Sequence, residues 1–474
     1  MKTLPSFLIC LTLLSFSMAN AVGAERPNVV FLFADDLGIG DLGCYRAESK
    51  VPTPNLDRLA EEGLRFTEAY CPVSVCSPTR YAFLTGRYPW RSWKPRGVLA
   101  NWDRPMIDEG IATLPGLLQS VGYHTVGIGK WHLGANYTTV DGEKPLGIGK
   151  FKSPNTGANL DLAGPISGGP LDRGFDEWFG FICASEQLVF EGNQAVGVLG
   201  HDLYQPPPAK GVEDLTVWPL ADYLPEMTKR SVAFLDQQQD ADQPFFLYYA
   251  PYVPHIPLAV EQSFLGSTKA GEYGDYVHEL DHYVGHLLEA LDRNGLADNT
   301  LVIFASDNGS QFPESGEGHR PNAPYAGTKW TIREGGVRTP LLVRWPAKVK
   351  AGTTSDALCG LNDWIATFAE LFEKPLPETA IDSRSLLPAL EGKTDVVVRE
   401  SIALRSSGGL SGLRRGKWKF IGGPGDGRSK PKNQTGPQLY DLIADPGETN
   451  NVRDDHPEVV SSLQSELEAL LAEP

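Results

Sequence analysis

Four short apolar runs, each closing on polar residues of catalytic type, constrain this chain more than any other feature. PNVVFLFADD (residues 27–36) closes on Asp35 and Asp36, and YHTVGIGKWHLG (123–134) on Lys130 and His132. QPFFLYYAPYVPHIPL (243–258) closes near His255, and NTLVIFASDNG (299–309) on Asp307 and Asn308. Apolar runs of this length read as buried parallel strands. Helical patterns lie between them, at 54–63, 112–121 and 274–294. Strand alternating with helix predicts an α/β domain with a large, mostly parallel central sheet flanked by helices. In open sheets of this kind the ligand site lies beyond the carboxyl ends of the strands. These polar residues all fall on that edge.

The texture changes near residue 395. RESIALRSS, SGLRRGKWKFIG and QLYDL read as short antiparallel strands, and HPEVVSSLQSELEALLAE as a terminal helix opened by Pro457 and Glu458. A small C-terminal α+β subdomain with an antiparallel sheet is expected there. At the other end, Lys2, the apolar FLICLTLLSF and the small-residue site Ala19-Asn20-Ala21, with Ala24 as a second option, read as a secretory signal. That run is too short to span a bilayer. Cys10 lacks the small residues expected before a lipidated cysteine, and no later segment reads as a membrane helix. The expected division is therefore signal peptide 1–24, catalytic domain 25–394 and C-terminal subdomain 395–474, in a protein exported to the periplasm or secreted, without a transmembrane anchor. Residues 135–172, rich in Gly, Pro, Asn and Ser, read as a long loop excursion over the site. The net charge of −17 argues against nucleic acid as a partner. An anionic substrate would need a local basic pocket.

Asp35, Asp36, Asp307 and Asn308 offer only hard oxygen donors, which suit Ca²⁺ or Mg²⁺ rather than zinc. Either pair alone reads first as turn residues closing a strand; two pairs on parallel strands favour a metal. Lys130 and His132, two residues apart at a strand end, point to one face and could serve as charge stabiliser and proton donor. In CPVSVCSPTRYAFLTGRYP (71–89), Pro78 and Gly86 mark a helix with Cys76 at its N-cap and Arg80 one turn on. A helix start attracts anions, and a guanidinium can grip an oxyanion. A thiolate at Cys76 would be favoured by that setting, and a Cys71–Cys76 disulfide is sterically open. With the signal removed, the cysteines are Cys44, Cys71, Cys76, Cys183 and Cys359, an odd number. His278, His282 and His286 recur every four residues, but a helical wheel puts them opposite the apolar face and reads as a solvated surface.

Taken together, Cys76-Ser77-Pro78-Thr79-Arg80 with LTGRYP resembles the signature of the type I, formylglycine-dependent sulfatases, which have the alkaline-phosphatase-like fold. PNVVFLFADDLGIGDLGCYR, GKWHLG, GFDEWFG, PHIPL, DNTLVIFASDNGS, GTKWTIREGGVRTP and LYDLIADPGETNNV occur in that family's order. The resemblance implies that Cys76 is oxidised during export to Cα-formylglycine by a maturation enzyme guided by Cys-x-Pro-x-Arg. Four other thiols would be left to pair or stay free. It implies a hydrated aldehyde at position 76 that attacks the sulfur of a sulfate ester, and a covalent sulfo-enzyme intermediate resolved by the second hydroxyl. By motif match, Asp35, Asp36, Asp307, Asn308 and residue 76 would hold Ca²⁺, with Mg²⁺ the second choice. Arg80 would orient the nucleophile, Lys130 and Lys329 would hold sulfate oxygens, His132 would assist residue 76, and His255 would protonate the leaving group. Asp307 is also placed to act as a base. Thr79 departs from the Ser or Ala frequent at that position.

The implied substrate is a sulfated carbohydrate, attacked at oligosaccharide ends, as in exported arylsulfatase and N-acetylgalactosamine-6-sulfatase relatives. Arg91, Trp93, His319, Arg320 and Asn322 are expected as pocket-wall residues. One rival is a phosphomonoester or phosphonate hydrolase of the same superfamily; another is a non-catalytic glycan-binding protein in which Cys76 is never converted.

Overall fold

The computed structural model describes residues 26–150, 155–183, 187–202, 206–393, 396–430 and 434–473. The expected signal peptide and the expected boundary at 394/395 lie outside the described residues. The four signal runs form strands β1 (Asn28–Ala34), β2 (His124–Lys130), β3 (Phe245–Ala250) and β4 (Thr300–Ser306). They lie adjacent in the order β4-β1-β3-β2, all parallel. Register sets Ala34 beside Ser306 and Gly129 beside Ala250, so the four chains leave the sheet at one edge. Seven further strands complete an 11-stranded sheet. Leu341–Arg344, Leu64–Phe66 and Thr353–Ser355 extend it beyond β4. Glu177–Phe181, Leu188–Glu191, Gln194–Gly200 and Thr216–Pro219 extend it beyond β2.

Alternation along β1 divides the core into two layers. Val29, Phe31 and Phe33 face one side with Phe83 of helix α1 (Cys76–Thr85) and Trp364. Val30, Leu32 and Ala34 face the other with Val277, Leu280 and Val284 of helix α2 (Gly271–Arg293). Each large side chain so buried contributes about 1.5–3 kcal/mol, which fixes which edge of the sheet the strand ends can reach. His278, His282 and His286 lie on the outer face of α2, as the wheel expects, while Leu287, Leu288 and Leu291 are buried.

One buried acid of α2 couples this packing to pH. Glu279 accepts from the Glu261 amide at 3.0 Å through one oxygen, and the other has no partner among the described residues. Burial pushes its carboxyl up to about 8. The unfolded chain releases that proton near the ordinary carboxylate value. Native protein therefore holds more protons between that value and about 8, and stability falls as pH rises through this window. Glu279→Gln keeps the neutral shape, so thermal melts should show it unfolding several degrees above wild type at pH 9, with the difference gone at pH 4.

The C-terminal part is a four-stranded antiparallel meander, Ser401–Arg405, Ser411–Arg415, Trp418–Ile421 and Gln438–Asp441, covered by helix Pro457–Ala472. A buried ionic network joins it to the main domain. Lys419 bonds Glu334 at 2.8 Å and Glu448 at 3.1 Å, and Arg414 bonds Glu68 at 3.1 Å. Arg405 also bridges Val73, just before α1. The described part of the 135–172 excursion is irregular chain, pinned by bridges between Asn136 and Ser167 and between Thr139 and Leu160. Among the described residues no cysteine is in a disulfide, and no helix is long and apolar enough to cross a membrane.

Candidate active site

The strand ends converge. Asp35 and Asp36 follow β1 directly, and Asp36 takes the left-handed backbone, φ 66°. A non-glycine residue there is strained, and such strain marks sites held by their surroundings. Two hydrogen bonds hold it: the Asp36 amide donates to Asp307 Oδ1 at 3.2 Å, and Asn308 Nδ2 donates to Asp36 Oδ1 at 2.7 Å. Lys329 Nζ donates to Asp36 Oδ2 at 2.6 Å, and Lys130 Nζ donates to Asp35. His255 Nε2 lies 3.7 Å from Asp36 Oδ2. Ligand atoms of Asp35, Asp36, Cys76 and His255 all fall within 4.8 Å of one another.

Helix α1 begins at Cys76 itself, with Val75 at the cap, so Cys76 sits one position further in than expected. Gly86 stops the helix in the left-handed region, as read from sequence. Burial pushes the Cys76 thiol up to about 12 although Lys130 and Lys329 pull it down. This corrects the expectation that the helix start would favour a thiolate: at neutral pH the residue is a thiol and a poor nucleophile.

Arg80 is also corrected in part. It is fully buried, and its Nε and one terminal nitrogen clasp Asp307 Oδ2 at 3.0 and 2.8 Å. The other terminal nitrogen donates to the Lys130 carbonyl at 3.1 Å and to Tyr248 Oη at 3.2 Å. Four of its five N–H groups are thus committed to the protein, and Lys130 and Lys329 are the cations that stand beside Asp35 and Asp36. Burial raises the Asp35 carboxyl, but Lys130, His255 and Arg80 outweigh it and hold the group well below its usual range. Asp307 is pushed up to about 7 by burial and by the charge of Asp35.

The histidines differ. His132 Nε2 donates to the Leu99 carbonyl at 3.1 Å, which leaves Nδ1 as a buried acceptor without a partner among the described residues. Burial and then Lys130 hold it well below the ordinary histidine value, so the ring is neutral. His255 Nδ1 donates to the Ile256 carbonyl at 2.5 Å. Burial, then Lys329, lower it to about 4.

The oxygen donors fit a hard divalent cation. Asp35 Oδ1 and Asn308 Oδ1 are both buried acceptors with no hydrogen-bond partner among the described residues. Acceptors left bare in a protein interior are costly unless something positive meets them. All-oxygen donors of this kind suit Ca²⁺.

The expected pocket wall is redistributed. Arg91 is bound to Asp382 at 2.7 Å and reaches Glu473, tying α1's downstream loop to the C-terminal helix. Trp93 donates to the Pro105 carbonyl at 2.8 Å and carries Arg104 over its ring at 4.5 Å. His319 is buried against Asp41 at 2.7 Å. Asn322 is buried and bonds both the amide and the carbonyl of Ser310, at 2.8 and 2.9 Å. His319 and Asn322 thus brace the loops that follow β1 and β4. Arg320 is exposed, and its carbonyl accepts from Arg46 at 3.0 Å. Sequence reasoning missed Tyr248, Leu99 and Tyr273. Tyr273 Oη donates to Asp41 at 2.6 Å. FFLYYA carries two hydroxyls, on Tyr248 and Tyr249, and nothing in the run singles out Tyr248.

Comparison with known proteins adds the following. The Sulfatase family profile matches residues 27–374. N-acetylgalactosamine-6-O-sulfatase of Bacteroides thetaiotaomicron is 34% identical, over 95% of this chain and 94% of that protein. Arylsulfatase A of Homo sapiens is 36% identical, over 97% of this chain and 91% of that protein. Among solved structures, the 6S-sulf protein of a Bacteroides thetaiotaomicron locus for glycosaminoglycan metabolism superposes with TM-score 0.82 at 31% identity, covering 95% of this chain and 100% of that chain. A phosphonate monoester hydrolase of Agrobacterium radiobacter superposes at 0.60 with 19% identity, covering 94% of this chain and 96% of that chain, a likeness of fold alone.

Proposed function

The chain belongs to the sulfatase family, with its alkaline-phosphatase-like fold and sulfuric ester hydrolase activity, and from that premise we propose that it removes sulfate from the ends of sulfated oligosaccharides after export. One observation carries the site assignment: two buried ammonium groups, Lys130 and Lys329, flank two buried carboxylates beside residue 76, next to acceptors that have no partner among the described residues. We assign residues 25–394 to catalysis and 395–474 to a supporting subdomain.

Sulfatases generally use a formylglycine and a divalent metal; here the first would derive from Cys76 and supply an oxygen nucleophile, and the second, as Ca²⁺, would supply positive charge to it. Asp35, Asp36, Asp307 and Asn308 would hold the cation. Lys130 and Lys329 would hold sulfate oxygens, because they are the two cations at the strand-end edge whose charge is not locked in a multidentate clasp. Arg80 would fix the Asp307 carboxylate and so the edge of β4. His132 Nδ1 would accept a hydrogen bond from a hydroxyl on residue 76, its tautomer being set by the Leu99 carbonyl. His255 Nε2 would give a proton to the departing alcohol oxygen. A sulfate ester seated on Lys329 offsets that lysine's charge and draws the His255 pKa upward.

Kinetics on matched esters test the reading. Protein matured in a host that forms formylglycine should hydrolyse an aryl sulfate and an N-acetylgalactosamine-6-sulfate oligosaccharide. It should turn over the corresponding phosphate esters at least about 100-fold less efficiently, a difference of about 2.7 kcal/mol in transition-state binding. Preference for phosphate would transfer the chain to the phosphomonoesterase reading.

Cation binding has a readout independent of turnover. Ca²⁺ at 100 times its dissociation constant should stabilise the fold by about 2.7 kcal/mol in thermal melts. Asp35→Asn and Asn308→Leu should each abolish most of that increment. An increment unchanged in both variants would remove the assigned ligand set.

A further inference from the structure

Among the described residues, three guanidinium groups on segments near Cys76 have no acid to answer them. Arg96 and Arg428 are exposed, and Arg405 is half-buried. Arg405 donates to Ser411 Oγ at 2.9 Å and lies 4.5 Å over the Trp90 ring. Arg428 lies 4.2 Å over the ring of Trp330. Arg96 rests against Gly409, where a Cβ would meet its Nε at 2.7 Å; glycine, at φ 94°, permits that approach. Among the described residues no carboxylate forms an ion pair with any of the three. The acid nearest in sequence, Asp426, is spent on its own turn, accepting from the amides of Arg428 and Ser429 and from Ser429 Oγ. In a chain of 59 acidic and 42 basic residues, grouped and unanswered cations are not the default. Burial and then Arg96 lower Arg405 to about 10, which leaves it charged at neutral pH.

Backbone bonds tie the Arg96 and Arg405 segments and Trp330 to the residues flanking Cys76. Ser74 donates to the Arg405 carbonyl at 3.3 Å, and Trp330 to the Ser74 carbonyl at 2.8 Å. Ser407 donates to the Trp330 carbonyl and Gly97 to the Ser407 carbonyl, both at 3.0 Å. Leu99, two residues past Gly97, donates to Ser77 Oγ at 3.1 Å. The segments carrying Arg96 and Arg405 are therefore stitched to the two sides of Cys76, and Arg428 joins them through the Trp330 ring. Lys329 Nζ lies 5.5 Å from the Trp330 ring centre, so one indole adjoins both the sulfate-holding lysine and Arg428.

We propose that Arg96, Arg405 and Arg428, with the indole of Trp330, form a subsite for a second anionic group, a carboxylate or a further sulfate, on the sugar adjoining the one whose sulfate reacts. Guanidinium forks match both anions, and an indole presents a flat apolar face to a sugar ring. The assignment rests on the sulfatase reading and narrows its substrate to polyanionic oligosaccharides.

Steady-state kinetics of the matured enzyme test it with an aryl sulfate and three sulfated disaccharides whose second sugar is neutral, a uronate or itself sulfated. The variants are Arg96→Ala/Arg428→Ala, both at exposed positions, and separately Arg405→Gln. The ratio of kcat/KM for an acidic over the neutral disaccharide should exceed one in wild type and fall about tenfold in the double variant. The fall should come through KM and shrink as salt is raised. Whichever acidic disaccharide loses more names the anion as carboxylate or sulfate. A ratio equal in wild type and both variants overturns the subsite while leaving the sulfatase reading intact. Failure of matured wild type to hydrolyse even the aryl sulfate overturns both.

Discussion

Cys76→Ala should abolish sulfate-ester hydrolysis, by on the order of 10⁴-fold or more, while the protein stays folded. Cys76 is 2% exposed in a packed helix start, so trimming one sulfur atom costs only about 1 kcal/mol in stability. The two effects differ because position 76 contributes its chemistry, not its packing. As a thiol pushed up to about 12 by burial, the unconverted side chain is also inert. Unmatured wild type should therefore be as inactive as the variant. Activity assays beside melting curves check this, and a folded Cys76→Ala protein that retained turnover would remove residue 76 from the reaction.

Arg80→Leu carries the second large effect, on stability and site together. Arg80 and Asp307 are both fully buried. Removing one member of a buried pair leaves an uncompensated charge, which costs about 3–5 kcal/mol. The clasp also involves the Lys130 carbonyl and Tyr248, so β2, β3 and β4 lose a common tie. Arg80→Lys should recover little, since an ammonium cannot reproduce the planar fork. Arg80→Leu/Asp307→Asn, with both charges gone, should melt above Arg80→Leu alone; in a double-mutant cycle the coupling should exceed about 2 kcal/mol. Additive effects would show that the clasp is not the source of the loss.

The reaction edge was legible because a strand buried on both faces must be apolar. Polar residues closing such a run therefore stand out, and parallel register carries them to the same edge. Asp35, Lys130, His255 and Asp307 are found this way. Residues at loop positions were not legible in the same manner. Arg91, His319 and Asn322 have side chains that would suit a pocket, yet whether they face one depends on partners remote in sequence. Arg91 meets Asp382 across 291 positions, and His319 meets Asp41 across 278. Arg80 was legible as a cation one turn below Cys76; that four of its N–H groups would be taken up by Lys130 of β2, Tyr248 of β3 and Asp307 after β4 was not. Tyr248 is hidden for a related reason. Its ring belongs to the apolar pattern of its strand, and only its hydroxyl serves the site. The cationic rim is least legible of all, since Arg96, Arg405 and Arg428 come from three separate segments brought together only by the docking of the C-terminal sheet.

The most direct test of the central claim is the mass of the tryptic peptide Phe66–Arg80, from protein exported by a host that makes formylglycine. The account predicts the mass of formylglycine at position 76 in a peptide that takes up no alkylating reagent there, in step with sulfatase activity. An unmodified, alkylatable Cys76 in protein that nonetheless hydrolyses sulfate esters would contradict it.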